Sequence, residues 1–201
     1  MNIFLERKSV RNYDPNHKIS IEKLTEILKE AYRAPSSMNM QSSRMFVIES
    51  DEAKAQLKTV LYGNELQLST SSAMILIASD RQKFDYAEKI YNTAYEKGIM
   101  PLEVRDRQIN NMKIHREKFT TEILDRDGYI DGGLLAMQLM LVAKSHGYDT
   151  CAIGGFNRKE INKALNLPDR YTPVLIISIG KAMEPGFDSI RLDIEDTTKF
   201  L

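Results

Sequence analysis

Tyr129-Ile-Asp-Gly-Gly-Leu-Leu-Ala-Met-Gln-Leu-Met-Leu-Val-Ala-Lys-Ser-His146 is the keystone of this chain. Ile130, Leu134, Leu135, Met137, Leu139, Met140, Leu141 and Val142 leave a helix little polar face, so it is expected to be buried nearly all round. Gly132 and Gly133 each cost about 1 kcal/mol of helix propensity against Ala, and such pairs mark a close approach by another backbone. Gly147 closes the helix. An apolar run of strand length precedes it, Ala73-Met-Ile-Leu-Ile-Ala78, with the pattern of a central strand covered on both faces. A second buried strand, Val174–Ile179, follows it.

Toward the N-terminus, Ser20 is an N-cap, with Ile21, Leu24, Ile27, Leu28 and Ala31 at helical spacing and Pro35 ending the run. Met45–Ile48 is a short strand. Asp51 is expected to cap a helix that turns Ala53, Leu57, Val60 and Leu61 inward and stops at Gly63. Residues 82–127 are charged, Tyr-rich and Met-containing, with helical periodicity broken at Gly98 and Pro101. They are expected to be a helical excursion from one 201-residue domain. Asn157 and Glu160 have the spacing of a capping box for a helix to Asn166. The polar tail from Lys181 to Leu201 has no packing face of its own. The tail and the all-apolar helix both call for surfaces that one subunit does not supply, which predicts a twofold dimer.

Composition excludes several classes. Lys plus Arg and Asp plus Glu are 28 each, so no global field draws the chain to nucleic acid or an anionic membrane. A single cysteine, Cys151, excludes an internal disulfide and agrees with a reducing compartment. The apolar runs fall short of the ~20 residues of a membrane span, and charges begin at Glu6, which predicts a soluble cytoplasmic protein.

Three polar clusters remain. Arg7-Lys8-Ser9-Val10-Arg11 offers three cations and a hydroxyl within five residues, which suits a phosphate but also a solvated basic turn. Ala34-Pro35-Ser36-Ser37-Met38-Asn39-Met40-Gln41 offers amides and hydroxyls to a flat heterocycle, or is an ordinary Ser-rich loop. The first two together suit a phosphorylated ring cofactor such as flavin mononucleotide (FMN). In Thr150–Phe156 the pair Gly154-Gly155 lets backbone N–H groups approach a ligand, or makes a tight turn before a helix. His17, His115 and His146 lack ligand spacing, and in Asp125–Asp131 the Gly comes too early for a calcium loop and no acid stands at the twelfth position, so no metal is expected. Cys151 is expected to be a small buried hydrophobe, and no dinucleotide or phosphate-binding Gly loop is present.

Taken in order, these clusters resemble the FMN-dependent nitroreductase family: residues 7–11, then Ala34–Gln41, Asp131 with Gln138, Gly147–Phe156, and Arg191-Leu192. The resemblance covers nearly the whole chain. It departs after Gln41, where the family commonly has Pro and a bulky aromatic and this chain has Ser42-Ser43-Arg44. It implies an α+β fold, a mixed sheet wrapped by helices, in an intertwined homodimer with a flavin in each interface pocket. By matching position, Arg7 and Arg11 resemble phosphate and ribityl ligands, with Lys8 and Ser9 lining the same stretch and Arg191 completing the phosphate site. Pro35, Ser36, Ser37 and Asn39 resemble the segment that arrives from the partner subunit, and Gln41 a further flavin contact. Asn64 and Gln67 resemble amides at the pyrimidine edge of the ring; Ile153, Gly154 and Gly155 resemble the turn that meets flavin N5. No protein acid or base is implied, because the cofactor carries the chemistry. The implied activity is ping-pong transfer from NAD(P)H to an electron-poor small molecule such as a nitroaromatic or quinone. Flavin or enone reduction, or slow-turnover redox sensing, are the alternatives.

Overall fold

The computed structural model describes residues 2–201. In chain order it contains α1 (Ile3–Glu6), α2 (Ile21–Ala31), β1 (Ser43–Ile48), α3 (Asp51–Lys58), α4 (Glu65–Thr70) and β2 (Ala73–Asp80). There follow α5 (Ala87–Glu96), α6 (Leu102–Lys118), α7 (Thr121–Ser145), β3 (Asp149–Ile153), α8 (Ile161–Ala164), β4 (Tyr171–Gly180) and α9 (Ile194–Thr197). The strands form one sheet in the order β1-β2-β4-β3, antiparallel at every pairing. Among the described residues, the parallel component of the expected mixed sheet is an isolated Ser9–Thr150 bridge on the β3 edge.

The period-two alternation of the central strands feeds two cores. Ile75 and Ile77 of β2 and Ile177 and Ile179 of β4 face α2 and α7, where Leu24, Ile27, Leu135 and Leu139 meet them. Met74, Leu76 and Ile176 face the other way, toward Leu57 of α3, Leu68 of α4 and Ile161 of α8. Every residue of β2 is buried, which is why its sequence reads as a continuous apolar run.

The long helix α7 lies directly on this sheet because two glycines one turn apart remove the obstructing side chains. A Cβ on Gly128 would stand 2.3 Å from Ser79 Oγ, and one on Gly132 would stand 2.9 Å from the Val174 methyls. Val174 is itself an extra residue: β4 passes from Leu175 opposite Ile77 to Pro173 opposite Ala78. Such a bulge is also where a strand tolerates proline.

Several expectations are corrected. The helix begins at Thr121, capped by the Thr120 hydroxyl on Ile123 N–H, so Asp125–Asp131 is helical and the excursion ends near residue 120. One turn of 3-10 helix (Lys83–Tyr86), α5 and α6 make up that excursion around Phe84, Ala87, Tyr91 and Met112, with Met40 joining their core. The helix is also not buried all round within one chain: Ile130, Leu134 and Met137 are 57%, 45% and 40% exposed. The 51–63 helix is capped by Ser50 rather than Asp51 and stops at Lys58; left-handed Gly63 and Asn64 then lead into α4. The Asn157–Glu160 capping box does not form, because the Asn157 side chain accepts from Lys159 N–H instead.

Candidate functional site

Residues 7–13 run along the β3 edge. Val10 turns inward and donates its N–H to Thr150 O at 3.0 Å, while Ser9 and Arg11 are exposed and Arg7 is partly exposed. Tyr13 pins the segment: its hydroxyl donates to Val10 O at 2.7 Å and lies 2.8 Å from Ser178 Oγ, and burial pushes its pKa well up. Its backbone N–H donates to Thr70 Oγ1 at 3.2 Å, joining α4 to the same edge. The tail crosses here too. Lys8 pairs with Asp188 and holds that carboxyl below its usual range, and Arg11 lies 5.8 Å from the Phe187 ring centroid.

The turn after β3 meets the loop before α4. Tyr62 N–H donates to Gly155 O at 2.9 Å, and a Cβ on Gly155 would be 3.3 Å from Tyr62 O. Gln67 Nε2 donates to Asn64 Oδ1 at 3.0 Å, and Asn64 Nδ2 donates to Tyr62 O at 3.1 Å. Gly154 presents open backbone, with nothing within 4 Å of where a Cβ would be. Residues 7–11, Asn64, Gln67 and Ile153–Gly155 are thus tied to one sheet edge.

The Pro35–Gln41 loop occupies the other edge, at the start of β1. Met38, Asn39 and Gln41 all have left-handed backbones, with φ of 54°, 53° and 48°. Such residues cost on the order of 1–3 kcal/mol each and persist where surrounding bonds hold them. Here Asp131 of α7, buried, takes Ser37 N–H at 2.9 Å, Ser37 Oγ at 3.0 Å and Ser42 Oγ at 2.9 Å. Ser36 Oγ accepts from Gln41 N–H at 3.0 Å, and Tyr91 OH donates to Met38 O at 3.1 Å. Arg44 Nη1 donates to Gln41 O at 2.6 Å, and Tyr32, whose hydroxyl is pushed up by burial, donates to Ser43 O at 2.9 Å.

Pro35–Gln41 leads into β1 at one end of the β1-β2-β4-β3 order, whereas residues 7–11 and Ile153–Gly155 flank β3 at the other. Among the described residues no hydrogen bond joins Pro35–Gln41 to residues 7–11, 64–67 or 153–155. Arg191 is not gathered either: it is exposed and, among the described residues, bonds only Ser189 Oγ and Ile190 O beside it.

A profile of the Nitroreductase family matches residues 5–181. The chain belongs to the Nitroreductase family. A Bacillus subtilis protein named as an NAD(P)H nitroreductase is 48% identical over 97% of this chain and 94% of its own length. The enone reductase of CLA biosynthesis from Lactiplantibacillus plantarum is 37% identical over 99% of this chain and 93% of its own. A crystal structure from Exiguobacterium sibiricum, described as a nitroreductase in complex with FMN, matches at TM-score 0.97 and 48% identity. It covers 100% of this chain and 96% of that one. The α+β nitroreductase fold is therefore present here.

Against that family fold, two buried acids take roles that the motifs do not reveal. Asp131, which the resemblance includes with Gln138 but gives no role, anchors the Ser-rich loop from 94 positions away. Asp80 closes the apolar β2, fully buried, and takes Arg44 Nη2 at 3.1 Å and Arg170 Nε and Nη2 at 2.8 and 2.6 Å. The signal there was an acid ending a buried strand.

Proposed function

We propose that the protein is an FMN-dependent NAD(P)H oxidoreductase that works as a homodimer and reduces electron-poor small molecules, nitroaromatics and quinones among them. The observation that carries this reading is the division of the flavin-type residues between opposite sheet edges. A second, twofold-related copy would bring Pro35–Gln41 of one subunit to residues 7–11 and 153–155 of the other. The exposed Ile130, Leu134 and Met137 of α7, with Phe187, Ile190 and Leu192 of the tail, supply apolar surface for that contact.

The residues fit the cofactor. Arg7 and Arg11 form no ion pair among the described residues, which leaves both guanidiniums for a phosphate, with Ser9 between them. Lys8 has Asp188 for a partner and contributes less. Asn64 and the buried Gln67 set two amides, bonded to each other, beside that turn, where a heterocycle's carbonyls and ring nitrogens would meet them, and the open backbone at Gly154, beside Ile153 and Gly155, leaves room for close approach of a ring. Ser36, Ser37, Asn39 and Gln41, behind Pro35, form the opposite wall, held by Asp131. Arg191 reaches a phosphate only by crossing to the partner. When bound, FMN supplies a two-electron relay between NAD(P)H and the acceptor. The chain's own part is to bind and orient that group and to leave one face open to donor and acceptor in turn.

The 201 residues act as one domain, with residues 82–120 forming a wall of the acceptor pocket. Buried Cys151 and an NAD(P)H donor agree with a cytoplasmic enzyme. Enone reduction on the same scaffold is the second reading, favoured by the 37% identity to the Lactiplantibacillus plantarum enzyme. The test is steady-state kinetics with NADPH and a panel of nitroaromatic, quinone and enone acceptors. Parallel double-reciprocal lines are expected; intersecting lines, or a protein that stays colourless with added FMN, overturn the proposal.

A further inference from the structure

A cleft of about 440 Å³ opens beside Asn39 and Gln41, between β1 and α5, a size that suits a small organic ligand. It shares those two residues with the loop assigned above to the flavin. Its apolar surface comes from Ile90, Ala94, Ile99 and Tyr86, over the buried Met40. Its charged residues are all cations, Arg44, Lys89 and Lys97, and no Asp or Glu lines it. In a chain with balanced charge this is a local departure.

The cations are also under-matched. Arg44 and Arg170 share the single buried carboxylate of Asp80. Lys89 and Lys97 form no ion pair among the described residues, although their neighbours do: Lys113 with Glu88, Arg116 with Asp85, Arg105 with Asp106. Lys89, Thr93 and Lys97 follow at intervals of four, so they stand on one face of α5 and its end, beside the apolar Ile90 and Ala94. A solvated lysine face would need neither the concavity nor the apolar floor.

We propose that this cleft selects acceptors that join an apolar body to a carboxylate, which Lys89 and Lys97 hold while the body lies toward Asn39 and Gln41. The proposal rests on the oxidoreductase reading above and names its substrate class. Both lysines are exposed, so the selection is screened by salt and modest in size.

The probes are 4-nitrobenzoate and its methyl ester, which differ in charge at one end. The readout is the ratio of their kcat/KM values in the FMN-loaded wild type and in Lys89→Gln/Lys97→Gln. The ratio should fall about fivefold in the variant, through a higher KM for the carboxylate. Lys89→Arg/Lys97→Arg should restore it. Calorimetry with benzoate, which is not reduced, should show binding to the loaded wild type that weakens as ionic strength rises and is about fivefold weaker in the Gln variant. Turnover of both probes with an unchanged ratio, or benzoate binding that ignores the two lysines, overturns this proposal alone. A protein that binds FMN but turns over neither probe nor any quinone overturns the oxidoreductase reading, and this proposal with it.

Discussion

Asp131 and Ser37 are joined twice: one carboxylate oxygen takes both the backbone N–H and the hydroxyl of Ser37, at 2.9 and 3.0 Å. The other oxygen takes Ser42 Oγ. A buried carboxylate thus fixes both ends of a loop with three left-handed residues, and does so from the helix that rests on the sheet.

Asp131→Ala should therefore leave three donors without a partner and destabilise the protein by about 3 kcal/mol. Asp131→Asn keeps one oxygen for Ser37 and should cost about 1 kcal/mol. Urea midpoints measure both. FMN affinity should fall in the same order, and an Ala variant with wild-type FMN affinity would show that the loop is not part of the flavin site.

Arg7→Ala and Arg11→Ala should each weaken FMN by about tenfold, the loss expected from one charge-assisted contact. Lys8→Ala should cost less, because its ammonium is already paired with Asp188. Riboflavin, which lacks the phosphate, should bind the wild type and the two arginine variants alike. Equal losses for both ligands would refute the assignment.

Leu134→Glu places a charge on the exposed apolar face of α7 and should convert a dimer to monomers in light scattering, with loss of flavin. Truncation after Gly186 should weaken both as well, since the tail and Arg191 leave together. A full-length monomer that retains flavin would overturn the dimer.

Arg81 grips Asp125 through Nε and Nη2, both at 2.8 Å, and Thr172 Oγ1 adds a third bond, so the Asp125 carboxyl is held below its usual range. A depressed folded pKa contributes stability above the unfolded value of about 3.9, which is lost as pH falls through the folded value. Asp125→Asn should cost about 1–2 kcal/mol at neutral pH. The gap between wild type and variant should close in acid below pH ~4, as followed by thermal melts. A gap independent of pH would mean that the pair contributes through shape rather than charge.

Local pattern alone determined a good part of this protein. The continuous apolar run of β2, the spacing and Ser20 cap of α2, and the ordered polar clusters are all properties of neighbouring residues, and periodicity and capping report such properties directly. Tertiary structure decided the rest. That Gly128 and Gly132 bring α7 onto Ser79 and Val174 depends on a bulge 42 residues beyond Gly132. That Asp131 holds Ser37, and that Asp80 gathers Arg44 and Arg170, depends on the order of the strands. The apolar composition of α7 was plain in the sequence, but its meaning was not. A helix pattern states which faces avoid water, whereas the fold alone states which of them its own chain covers and which, as at Leu134, it leaves open.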